Sequence, residues 1–312
     1  MFQRDIAAGL QAQEVTRLRA VALLWKLEAG VIALAVVAGL ILHWSNAHWA
    51  FLWIVVPGAA LLLGWFAARL PRLLYREGLR ELVMPPVCGF LGGLTYQRRG
   101  EGGGIDPKRL MDVGLIPPAS RFTLEDYFAG RWRDQAWEMV ELRVIREGST
   151  SKSGSRGSRT VYRGLLLRMA VPVTFEGVVV VSRDFGRLGN ELAALVGLGR
   201  ALGRVALPHA AFEQHFEVRS DGKARLEELL TEQGVRALLQ LDETGGGTGL
   251  TADAVDGACS IALPLRQDLF EFGSLFRSVY KVADDLHEIL FQATLPRRII
   301  DALHGQVPDK VI

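Results

Sequence analysis

Residues 49–68 read WAFLWIVVPGAALLLGWFAA, twenty positions without one charged side chain. As an α-helix, at about 1.5 Å per residue, the run is roughly 30 Å long, the hydrocarbon thickness of a bilayer. A second apolar run, residues 29–42, AGVIALAVVAGLIL, precedes it. That run reaches spanning length once Leu23, Leu24, Trp25 and Leu27 join it, leaving Lys26 and Glu28 at headgroup level, where a lysine can snorkel. Only His43 to His48 lie between the runs, enough for a tight turn. The pattern predicts a transmembrane helical hairpin, with spans at about 22–44 and 49–68.

Two other readings of these runs are weaker. A secretory signal would need a small-residue cleavage site before the second run, and none is evident. A core hairpin of a soluble protein would not explain the tryptophans. Five of the seven fall in the first 65 residues. Trp44 and Trp49 bracket the turn, and Trp25 and Trp65 sit near the opposite ends, as in an aromatic belt. Arg4, Arg17, Arg19 and Lys26 precede the first span; Arg69, Arg72, Arg76 and Arg80 follow the second; the turn has no Lys or Arg. The positive-inside rule then puts both termini and everything beyond residue 70 in the cytoplasm. Two cysteines in 312 residues suit a reducing compartment and cannot build a disulfide framework.

Neither run carries an ionisable group in its middle, which disfavours transport through the spans. Ala35 and Gly39, and Ala60, Gly64 and Ala68, have small-xxx-small spacing. They allow the hairpin to close, or two copies to meet. Arg69, Arg72, Arg76 and Arg80 make one stripe on a continuing helix. Arg69 and Arg72 are candidate contacts to anionic lipid headgroups. Arg76 and Arg80 fall farther out and read as a topology signal facing water.

The net charge of +2 is too balanced to predict nucleic-acid binding, and none is expected. The basic excess sits in the anchor: the first 80 residues sum to +4 and the rest to −2. Residues 1–84 thus read as an arm, hairpin and juxtamembrane helix that Pro85–Pro86 ends. Residues 85–312 read as a cytosolic domain large enough for its own core. A short helix is expected over 87–97, and Asp106–Pro107 opens another over 107–113. Residues 126–147 predict two strands; 161–171, 175–183 and 208–221 predict more, and LTADAV and CSIALPL, about 250–264, two further ones. GSTSKSGSRGSRT, 148–160, is a flexible hairpin connection, and 244–249 a glycine-rich loop. Helices are expected over 223–231, 232–241, 274–294 and after Pro296. The fold class is α+β, a mainly antiparallel sheet with packed helices.

No P-loop, G-x-S-x-G, H-E-x-x-H or C-x-x-C is present, and Gly197, Gly199 and Gly203 depart from the dinucleotide spacing. On a strand over 208–221, Glu213, His215 and Glu217 share one face. Carboxylate, imidazole and carboxylate at alternate positions can hold a divalent metal; they are also what a solvated strand face shows. Asp284, Asp285, His287 and Glu288 form a second polar cluster, read as a solvated helix face.

GIDPKRLMDVGLI (104–116), LEDYFAGRWRD (124–134), VYRGLLL (161–167), FEQHFEV (212–218) and LEELLT (226–231), behind two apolar spans, together resemble a family of bacterial membrane proteins, the domain-of-unknown-function family 3137. The resemblance implies a two-pass inner-membrane anchor carrying a cytosolic α+β domain. It implies no catalytic residues or cofactor, and hints at association with small membrane proteins of the LemA type. Two functions follow as expectations: a membrane-tethered binding or scaffold module, or a tethered metal-assisted enzyme or ligand sensor using Glu213, His215 and Glu217.

Overall fold

The computed structural model describes residues 2–44, 52–98, 103–147, 157–170, 178–183, 202–222, 226, 230–244, 251–255, 257–265, 270 and 273–303. The chain divides into two compact units, Met1–Phe90 with Glu271–Leu290, and Leu91–Phe270 with Phe291–Ile312.

The first unit is built on two long helices, α1 (Phe2–Trp44) and α2 (Leu52–Phe90). They run antiparallel. Gln13 Nε2 donates to the Gly78 carbonyl at 3.2 Å, and Glu28 lies over Gly64, where a Cβ would come within 2.8 Å of its carboxylate. A Cβ at Gly64 would meet the end of the Glu28 side chain, and one at Gly39 would meet no described atom within 4 Å. Among the described residues one stretch, Leu10–Ile41, is long and apolar enough to cross a membrane, and only 6% of its most apolar window is buried. Trp49 and the side chains of Trp65, Pro57 and Ala68 lie outside the described residues, so half of the expected belt does too.

Pro85 and Pro86 do not end α2, contrary to the sequence expectation. Each interior proline costs a helix about 3 kcal/mol. Val83, Met84 and Val87 are fully buried around them, and burial of each such side chain returns about 1.5–3 kcal/mol. The helix stops instead at Gly92 and Gly93, whose φ of +83° and +77° fit the left-handed C-terminal cap. Of the helix expected over 87–97, residues 87–90 form the last turn of α2, and the rest is this cap and a short strand.

A segment distant in sequence completes the first unit. Residues 273–278 form a turn, followed by one 3-10 turn at Val279–Lys281 and then α6 (Val282–Ala293). The helix expected from residue 274 thus begins at 282. The hydroxyls of Ser274 and Ser278 accept the main-chain N–H groups of Phe276 (3.3 Å) and Tyr280 (3.4 Å), local bonds that compete with helix.

The second unit is a sheet in the order β1-β2-β3-β4-β9-β8-β5-β7-β6, every pairing antiparallel among the described residues. The strands are β1 (Thr95–Gln97), β2 (Arg121–Trp132), β3 (Gln135–Glu147), β4 (Ser158–Ala170), β5 (Val178–Arg183), β6 (Gly203–Val205), β7 (Phe216–Ser220), β8 (Thr251–Val255) and β9 (Ala258–Pro264). Asp126, at φ +51°, forms a bulge in β2, and its carboxylate receives the Tyr96 hydroxyl at 2.5 Å. Gly164 lets β9 come close to β4, since a Cβ there would strike the Leu263 carbonyl.

Helix α3 (Pro107–Asp112) opens on Asp106, whose carboxylate accepts Lys108 N–H at 2.9 Å, as expected. It and the following loop cover one sheet face: Leu110, Val113, Leu115 and Ile116 pack with Val140, Leu142, Val144 and Leu166. Toward β3 and β4 also lies α7 (Leu295–Leu303). There Asp301 accepts Trp132 Nε1–H at 2.8 Å and pairs with Arg133, and Arg297 lies 4.8 Å over the Trp132 ring. The middle of β3 is buried on both sides, odd positions Trp137 and Met139 as well as even ones. Helices α4 (Ala210–Glu213) and α5 (Glu232–Thr244) complete the unit. The glycine-rich loops at 148–156 and 245–249, and most of 223–229, lie outside the described residues.

Candidate functional site

The two long helices that form the stem of the first unit expose a series of large apolar side chains. Leu23, Trp25, Ile32, Leu34, Val37, Leu40 and Ile41 on α1, and Leu62, Leu63 and Phe66 on α2, are all at least half exposed. Exposed apolar side chains grouped along one element mark an interaction or membrane-contact face. Of the candidate lipid contacts, Arg69 and Arg72 are both exposed on α2. Arg72 is also seated against an aromatic ring, its guanidinium 5.4 Å from the centre of Phe276. Glu28, expected at headgroup level, lies level with Gly64, four residues inside the end of the uncharged run.

The Phe276 segment is held by a pair of charges on α1. Glu14 and Arg17 bind each other at 2.6 Å. Arg17 donates to the Leu275 carbonyl at 2.9 Å, and Glu14 accepts Val279 N–H at 3.0 Å. Gly273, at φ +75°, lies tight against Leu79 and Tyr75. No sequence signal links these residues; the charges at 14 and 17 read as part of a positive arm until their partners are in place.

Glu213, His215 and Glu217 are not gathered on one strand face. Glu213 ends α4 and its carboxylate accepts Leu207 N–H at 2.8 Å. His215 is in the turn after it, Nδ1 3.0 Å from the Ala211 carbonyl. Glu217 is on β7 and accepts from Arg219 at 2.9 Å. Of the strand expected over 208–221, the second part forms as β7 (Phe216–Ser220), whereas 210–213 is one helical turn; Phe212 and Phe216 are both buried, with rings 5.0 Å apart. Residues four apart share a helical face as readily as a strand face. Among the described residues no three His, Cys, Asp or Glu side chains are placed to hold a metal ion. Of the second cluster, His287 is exposed, and the side chains of Asp284, Asp285 and Glu288 lie outside the described residues.

A polar cluster under the α3 segment was not legible from spacing. Asp253 is buried on β8, pairs with Arg109 of α3 at 3.2 Å and accepts Ser260 N–H at 3.2 Å. Burial holds its carboxyl above the ordinary range, against the opposing pull of Arg109 and Ser260. Glu138 accepts Gly104 N–H at 2.7 Å and faces Arg168 across the β3–β4 pair. Beside them opens a cleft of about 280 Å³, lined by Trp137, Glu138, Arg168, Met169, Gly257 and Ala258. These bonds fasten the 103–109 loop to the sheet. Burial pushes the Cys259 thiol up to about 12 and the Cys88 thiol to about 11, so neither is a thiolate at neutral pH.

Residues 160–304, from β4 through α7, match the family model of a protein of unknown function, DUF3137. No curated protein matches the chain. Among solved structures, the crystal structure of the mycobacterial trehalose monomycolate transport factor A, TtfA, is similar over 70% of this chain and 92% of its own. Identity is 11% and the TM-score 0.34.

Proposed function

We propose, from the premise that residues 160–304 carry a domain of the 3137 family, that this protein is a two-pass membrane-anchored binding or scaffold module. The reading puts spans at about 22–44 and 49–68 in a bacterial inner membrane, with both termini and the α+β unit in the cytoplasm. One observation carries it: the apolar stretch of α1 is almost wholly unburied, although it pairs with α2. Burying each such large side chain is worth about 1.5–3 kcal/mol, a gain that the bilayer supplies. Arg and Lys flank the outer ends of both helices and are missing from the turn, which supports the orientation. Binding is favoured over catalysis because Glu213, His215 and Glu217 each serve a separate bond. Partners of this reading are the bilayer and other small membrane proteins, with the LemA type as the first to test by crosslinking.

Single-cysteine labelling of the full chain in intact cells tests it. A membrane-impermeant maleimide is expected to label Ser45→Cys from outside, and Arg121→Cys only after the inner membrane is opened. Labelling of Arg121→Cys in intact cells, or loss of the chain from membranes in carbonate, overturns the proposal.

A further inference from the structure

The geometry points to a third membrane contact: the loop over residues 273–279, from the far end of the chain, dips its Phe276 tip into the headgroup layer beside Arg72. The inference rests on the two-pass reading above and goes beyond it.

The path of the loop along the stem supports this. It enters at Gly273, against Leu79 and Tyr75. It descends to Phe276, 5.4 Å from the Arg72 guanidinium. It returns to Val279, bonded to Glu14, one residue from the Gln13 that meets Gly78. The tip therefore points toward the spans. It is held there by the Arg17 bond to the Leu275 carbonyl and by a turn in which Arg277 N–H reaches the Ser274 carbonyl at 3.0 Å.

Depth decides what the tip meets. Arg72 lies four residues past Ala68, roughly 6 Å along the helix. The interfacial layer adds about 5–7 Å on each side of the hydrocarbon. Around that level, four large apolar side chains face outward: Leu18 of α1, Leu73 and Leu74 of α2, and Phe276, each more than half exposed. In water this collar would cost free energy. In the headgroup layer an aromatic ring beside a guanidinium has both its apolar and its cationic side satisfied. Tyr280 is as exposed as Phe276, at 59%, but sits beside Val279, back at the Glu14 level. That level is about nine residues past Ala68, roughly 14 Å, and clear of the layer.

The test uses the full chain in vesicles of phosphatidylethanolamine with phosphatidylglycerol. A fluorophore is placed in turn at Phe276→Cys, Tyr280→Cys and Leu34→Cys. Spin labels sit on the lipid headgroup or at the middle of the acyl chain. The expected result is loss of most Phe276→Cys emission to headgroup labels, little loss at Tyr280→Cys, and loss at Leu34→Cys to acyl labels alone. Quenching at Leu34→Cys with none at Phe276→Cys overturns this contact and leaves the anchor standing. Equal quenching at Phe276→Cys and Tyr280→Cys overturns the directed tip. No acyl quenching at Leu34→Cys overturns the anchor, and this inference with it.

Discussion

Arg17 Nη1 donates to the Leu275 carbonyl at 2.9 Å, joining residues 258 positions apart. The same guanidinium binds Glu14, which receives Val279 N–H, so one ion pair on α1 holds both arms of the distant loop. Both side chains are largely shielded, at 12% and 17% exposure, which makes the pair costly to break from one side. Arg17→Ala is expected to cost the docked loop about 1.5–3 kcal/mol. Trypsin should then cut after Arg277 or Lys281 roughly 10–100-fold faster than in the parent chain. An unchanged rate means the loop is held by packing alone.

Gly273 occupies a position that no side chain fits. Its φ is +75°, and an added Cβ would run into Leu79. Gly273→Ala combines about 1–2 kcal/mol of backbone strain with about 1–3 kcal/mol of overpacking. It should expose the same tryptic sites as Arg17→Ala while leaving the Glu14–Arg17 pair intact. A double variant then reports whether the two effects add; independence within about 0.5 kcal/mol is expected only if they act on different arms.

Asp253 gives the second unit a pH signature. Burial raises its carboxyl above the ordinary value, with Arg109 and Ser260 opposing. A folded-state pKa above the unfolded one contributes stability fully present below the unfolded value of about 3.9. That contribution is lost as pH rises through the raised folded value. Thermal melts in detergent should therefore show Asp253→Asn gaining on the parent chain as pH rises across the acid range. A difference that does not change with pH would show that Asp253 titrates in its ordinary range.

The β2–β3 hairpin turns through Arg133 and Asp134, at φ +47° and +61°. Both central residues in the left-handed region define the type I′ turn, which favours glycine at its second position. Asp134→Gly should raise stability by about 0.5–1 kcal/mol, read as a higher melting temperature. Arg133 is left in place because it pairs with Asp301. A fall in melting temperature would mean that the Asp134 side chain contributes more than its strained backbone costs.

Features that depend on near neighbours were legible in the amino-acid order. A long uncharged run, the short apolar runs of β3, β4, β8 and β9, and Asp106–Pro107 before α3 each act within a few residues, so spacing alone revealed α+β and the apolar stem. Tertiary structure decided whatever depended on competition or on distance. Pro85 and Pro86 stay helical because Val83, Met84 and Val87 are buried around them. Glu213, His215 and Glu217 part company because the chain turns from α4 into β7 between them, with Phe212 buried before the turn and Phe216 after it. Arg17 and Leu275, or Arg109 and Asp253, meet only after the chain between them has folded. Local pattern measures the preference of a segment for water or for a neighbour one turn away; it does not contain the buried partner that overrules that preference.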